Sequence, residues 1–138
     1  MNLWYLNFFL LGLLVIWGAY EGYLRIMAKR SATWLNQDEF REGLRKAQVI
    51  DVRQKDTFDA GHILGARNLP YTMIKDKSYR QQYIDSLRKD QPIYIYDQRK
   101  ALSIRMANQL RKAGFKNLFL LKEGYDGWEG KVKKKKTV

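Results

Sequence analysis

A chain of 138 residues has room for one domain and an appendage. The total lack of cysteine excludes a disulfide scaffold and any chemistry that needs a thiol, and it is compatible with a reducing compartment. The formal net charge of +12 points to anionic partners, with residues 1–30 contributing only +2 of it.

Met1 to Tyr20 carries no charged side chain and is dense in Leu, Phe, Trp, Ile and Val. A run of about 20 apolar residues matches the hydrocarbon core of a bilayer. Trp4, Tyr5, Trp17, Tyr20 and Tyr23 lie toward its two ends, where interfacial aromatic residues anchor a span. A cleaved signal peptide would want a basic n-region, a shorter apolar run and a small-x-small cleavage site, and these are missing. A buried core helix would show a polar face, whereas this one offers only Asn7. Residues 1–24 are therefore expected to form a transmembrane anchor. No Lys or Arg precedes the span, but Arg25, Lys29 and Arg30 follow it. The positive-inside rule then predicts a single-pass protein of the cell membrane with its C-terminal domain in the cytoplasm.

Residues 25–31 read as a basic juxtamembrane linker, a helical continuation that frays, and "ATWL" as a short extended entry. Asn36 to Glu39 has capping-box spacing, with Phe40, Leu44 and Ala47 following at helical period. "QVIDVR" is a strand. "KDTFDAGHILGARNLPY" reads as loop with room for one helical turn, and Tyr79 to Lys89 as a helix with Tyr79, Tyr83 and Leu87 on one face. "PIYIYD" is a second strand, Ser103 to Ala113 a helix stopped by Gly114, and "NLFLL" a third strand. A Gly-rich turn, "KEGYDGWEG", follows. Alternating strands and helices predict an α/β domain with a mainly parallel sheet, over residues 32–130. "KVKKKKTV", residues 131–138, is a polybasic tail.

Two blocks carry a family resemblance. "VIDVRQKDTFDAGHILGARNLP" resembles the rhodanese signature "DVR…EF…GHIxGAxNIP", and "LLKEGYDGW" resembles that family's closing "LxGGxxxW". Between them, Asp97, Gln98, Arg99, Lys100, Ala101, Leu102 and Ser103 lie where the family has its active-site loop, Cys-x-x-Gly-x-Arg-Ser. Ala107, Leu110, Gly114 and Phe115 fall where its following helix has Ala, Leu, Gly and Phe. The resemblance implies the rhodanese-like fold, a five-stranded parallel sheet flanked by helices, here preceded by one N-terminal transmembrane helix.

The resemblance breaks in the loop. Cys is replaced by Asp97, Gly by Lys100 and Arg by Leu102; Ser103 is kept. Rhodaneses carry sulfur as a cysteine persulfide, made by a soft, polarisable thiolate. A carboxylate is hard and cannot form one. Cys-dependent phosphatase chemistry fails for the same reason. An aspartyl-phosphate route would need Mg²⁺ and a second carboxylate nearby, which the loop lacks. The loop N–H groups and the next helix's N-terminus make an anion cradle in the family. Asp97 is expected to fill that cradle as a fixed anion, with its pKa lowered by hydrogen bonds and the helix dipole. His62, Asp51 and Arg53 read as structural. No catalytic residue, cofactor or metal ligand is expected.

Three functions follow from this reading. The favoured one is a catalytically degenerate rhodanese-like domain acting as an interaction or regulatory module at the cytoplasmic membrane face, with an unidentified protein partner. The second is an active sulfurtransferase, which fails at the nucleophile. The third is a basic membrane-surface element, in which Arg25, Lys29, Arg30, Lys131, Lys133, Lys134, Lys135 and Lys136 meet anionic lipids at about 1 kcal/mol each. Nucleic acid is not expected as a partner, because no reading helix or stacking strand is present.

Overall fold

The computed structural model describes residues 2–135. It opens with α1 (Leu3–Ser31), one unbroken helix of 29 residues. This is the helix long and apolar enough to cross a membrane, and its most apolar stretch is not buried in the molecule. Its C-terminal end behaves differently. Leu24, Ala28 and Ser31, spaced at helical period, are buried against the domain. Residues 25–31, expected as a linker, are thus the last two turns of α1. The helix holds there because Leu24 and Ala28 join the main core rather than facing water.

The elements then run β1 (Thr33–Leu35), α2 (Gln37–Gly43), β2 (Gln48–Asp51), α3 (Lys55–Ala60), β3 (His62–Ile63) and β4 (Arg67–Asn68). They continue with α4 (Lys77–Asp85), β5 (Ile93–Tyr96), α5 (Ala101–Lys112), β6 (Leu118–Leu121) and β7 (Val132–Lys133). Five strands form a parallel sheet in the order β1-β6-β5-β2-β4. The parallel strands place the chain's turns into α3 and α5 along one edge, the C-terminal edge of the sheet.

Strand alternation divides the core into two layers. Ile50, Ile93, Ile95, Leu118 and Leu120 face α1, α4 and α5. Val49, Tyr96 and Leu121 face the other way, onto Phe40 of α2 and Ile63 of β3. Side-chain caps set two helix starts. Asn36 Oδ1 accepts the Glu39 N–H at 2.9 Å, closing the N-terminus of α2. Asp76 Oδ1 accepts from the Ser78 and Tyr79 N–H groups at 3.0 and 3.1 Å. That cap starts α4 two residues before Tyr79, earlier than its apolar period suggests. Gly114, with φ of 98°, stops α5 in the left-handed region that glycine tolerates.

The polybasic segment begins as structure. β7 pairs antiparallel with β3, His62 opposite Lys133 and Ile63 opposite Val132. The Lys135 N–H donates to Asp59 O at 2.9 Å. Lys131, Lys133, Lys134 and Lys135 keep exposed side chains, and Lys136 lies outside the described residues.

Candidate functional site

The site is the loop between β5 and α5. Asp97, the residue after β5, is 4% exposed. Its Oδ2 accepts the Leu102 N–H at 2.7 Å and the Ser103 N–H at 3.2 Å, two donors of the first turn of α5. Ser103 Oγ donates to Lys100 O at 2.8 Å, tightening the same turn. The carboxylate therefore sits inside the cradle that the helix start provides.

Its other oxygen is not served. Asp97 Oδ1 is buried with no hydrogen-bond partner. Burial pushes the Asp97 carboxyl above its ordinary range. The Leu102, Ser103 and Arg99 N–H groups pull it down without offsetting burial, and the negative Asp51 nearby adds to the rise. The sequence-based expectation of a lowered pKa is overturned. Counting donors and the helix dipole omitted the cost of withdrawing the second oxygen from water.

A buried ion pair supports the loop from below. Asp51 and Arg53, 0% and 4% exposed, pair at 2.7 Å. Arg53 Nε lies 3.0 Å from both Asp51 oxygens, and Arg53 Nη2 also donates to Gly61 O at 2.7 Å. Arg53 Nη1 donates to Gln98 Oε1 at 2.9 Å, and its guanidinium lies 4.1 Å from the Tyr125 ring centre. Gln98 then bonds Asp126 through its Nε2. His62, stacked on Phe58, places Nδ1 2.9 Å from Phe58 O, within reach of an Nδ1–H donor.

The turn after β6 clamps the loop from the side. Tyr125 N–H donates to Asp97 O at 2.9 Å and Asp126 N–H to Gln98 O at 3.1 Å. Gly124 has φ of 66°, and a Cβ there would meet Arg99 O at 2.5 Å and Gln98 O at 2.6 Å. Glycine is required because two backbones touch. Lys100 keeps a negative φ, −149°, so the loop does not use at this position the left-handed region that favours glycine.

The outer rim is basic and is tied to α1. Lys100 Nζ lies 2.9 Å from Glu21 Oε2, and Arg105 Nη2 donates to Tyr20 OH at 2.9 Å. Arg99 is exposed and 3.5 Å from Asp126. Ala101 is half-buried, and Leu102, where the family has arginine, packs against the apolar core. Sequence reasoning missed Glu21. Its signal was its isolation, since it is the sole acid among the first 30 residues. Arg25, Lys29 and Arg30 are exposed on α1, away from the polybasic segment, which lies on the opposite face of the sheet. Among the described residues no group of three or more His, Asp or Glu could hold a metal.

Fold and loop placement together define a class, and the comparisons bear it out. The family model for the rhodanese-like domain matches residues 36–131, and the chain belongs to that family. It is 40% identical over 126 residues to the uncharacterized protein YqhL of Bacillus subtilis, covering 89% of this chain and 95% of that one. It is also 27% identical over 85 residues to thiosulfate sulfurtransferase GlpE of Coxiella burnetii, covering 62% of this chain and 74% of that protein. Among solved structures, the Alr3790 protein from Anabaena superposes with a TM-score of 0.63 at 27% identity, covering 72% of this chain and 80% of that one.

Proposed function

We propose that this protein is a non-catalytic rhodanese-like domain, anchored by α1 in the cell membrane with its domain on the cytoplasmic side. There it serves as an interaction or regulatory module. The observation that carries this is Asp97: its carboxylate takes the Leu102 and Ser103 N–H groups in a chain that has no cysteine. Sulfur relay through a cysteine persulfide has no atom to start from. The activity in the name of the Coxiella relative therefore does not transfer to this chain. The exposed apolar length of α1 and the Arg25, Lys29, Arg30 cluster after it support the membrane reading and its orientation.

The test is thiocyanate release from thiosulfate and cyanide by the full chain in detergent. The unmodified protein should stay at the uncatalysed rate. Asp97→Cys alone should add little, and the triple change Asp97→Cys, Lys100→Gly, Leu102→Arg should add more. Robust turnover by the unmodified protein would overturn the reading.

A further inference from the structure

Between α1 and the Asp97 loop lies a cavity of about 520 Å³. We propose that it holds the headgroup of an anionic, hydroxyl-bearing glycerophospholipid from the adjoining leaflet. The proposal rests on α1 spanning the membrane, and it adds a defined lipid site to that reading.

Three cations line the cavity, each from a different element: Arg25 from α1, Lys100 from the loop and Lys122 from the end of β6. The Glu21–Lys100 contact of 2.9 Å fixes the height of Lys100 against the anchor helix. Arg25 follows Glu21 by four residues and so lies on the same helix face. The Lys122 N–H donates to Leu35 O at 2.9 Å, which holds its backbone beside β1. Among the described residues, neither Arg25 nor Lys122 takes part in an ion pair. Glu21 offsets Lys100 and Glu39 offsets one more cation. The charge left over matches a single phosphodiester.

The remaining lining argues for a lipid over a free anion. The floor is apolar, with Leu24 and Ile104 buried and Trp34 beside them. Trp17, Leu14 and Leu10, which precede Glu21 on the same face of α1 at helical spacing, expose an apolar track from the cavity toward the span, along which acyl chains can lie. Asn36 and Glu39 at the far wall can receive headgroup hydroxyls. A soluble phosphate would use the cations and leave the track and the hydroxyl acceptors idle.

The experiment uses the full chain in phosphatidylcholine nanodiscs carrying a minor share of phosphatidylglycerol. Lipids retained per chain are counted by native mass spectrometry. The unmodified protein should keep one phosphatidylglycerol in preference to phosphatidylcholine. The double change Arg25→Gln, Lys122→Gln should weaken that retention roughly tenfold or more, as expected for lost charge-assisted hydrogen bonds. Lys122→Gln alone, at an exposed side chain, should weaken it in part. Lys46→Gln with Lys116→Gln, a charge-matched pair at the opposite edge of the sheet, should leave it unchanged. Equal effects of the two pairs would overturn the site, as would equal retention of phosphatidylcholine. Binding of soluble glycerol phosphate as tightly as the lipid would overturn the leaflet as the source. A chain that does not insert at all defeats the membrane reading itself. One that inserts without selective retention defeats only the lipid site.

Discussion

Replacing Asp97 with asparagine separates the two forces acting on that residue. Asparagine keeps an acceptor for the Leu102 and Ser103 N–H groups and removes the buried charge. A carboxyl whose folded pKa is raised favours the protonated fold, so its contribution is greatest at low pH. That contribution is lost as pH climbs from the ordinary carboxylate value toward the folded one. Thermal melts of the full chain in detergent should therefore show Asp97→Asn gaining on the unmodified protein as pH rises from about 4. A difference between the two proteins that stays constant above about pH 4, with the asparagine variant losing ground only as pH rises toward that value from below, would restore the lowered-pKa expectation. Arg53 offers a second test at this scale. Arg53→Ala strands the fully buried Asp51 without its partner, which typically costs about 3–5 kcal/mol. Urea unfolding of that variant within 1 kcal/mol of the original would mean that Asp51 finds another way to shed its charge.

Along α1 the last turns pack into the domain while the earlier ones, proposed to span the membrane, are exposed, and single substitutions tell the two parts apart. Leu24 is 2% exposed and packed into the main core, so Leu24→Ala should destabilise the domain by about 2–5 kcal/mol. Tyr23, one residue earlier and 57% exposed, should tolerate alanine within about 0.5 kcal/mol. Equal, small effects at both positions would mean that the end of α1 is not part of the core in solution. This double role was hidden in the sequence because the apolar run and the basic cluster suggest a boundary at Arg25. Leu24 and Ala28 show their purpose only when α5 is placed against them. Local signals were otherwise readable. Short apolar runs in "QVIDVR", "PIYIYD" and "NLFLL" marked three strands, and Asn36 marked the start of α2. The order β1-β6-β5-β2-β4 was not, since pairing between strands distant in sequence leaves no local trace, and the five-strand count came from the resemblance. Two-residue β3 and β7 are too short to show any period. The cradle around Asp97 was legible through its place between a strand and a helix, whereas the Glu21–Lys100 tie spans 79 residues and was not.

For the molecule as a whole, orientation is the first quantity to measure. Trypsin added outside intact cells should leave residues 31–138 uncut, although that stretch is rich in lysine and arginine, and should digest them after permeabilisation. Cleavage in intact cells would reverse the proposed topology. Whichever side the domain occupies, its freedom there is set by the unbroken α1. Its 29 residues extend about 44 Å at about 1.5 Å each, and in the proposed membrane-spanning arrangement a bilayer core would take up about 30 Å of that. The remaining length, roughly 14 Å, lies against the domain as part of its core, so in the proposed arrangement the domain is posted rigidly at the membrane surface instead of swinging on a tether. A swinging domain samples a hemisphere and meets partners of many shapes at a modest effective concentration. A posted one trades that breadth for geometry. Encounters within the membrane become two-dimensional, and only a partner whose own surface lies at the matching height will meet it, but it does so with the loop already aimed.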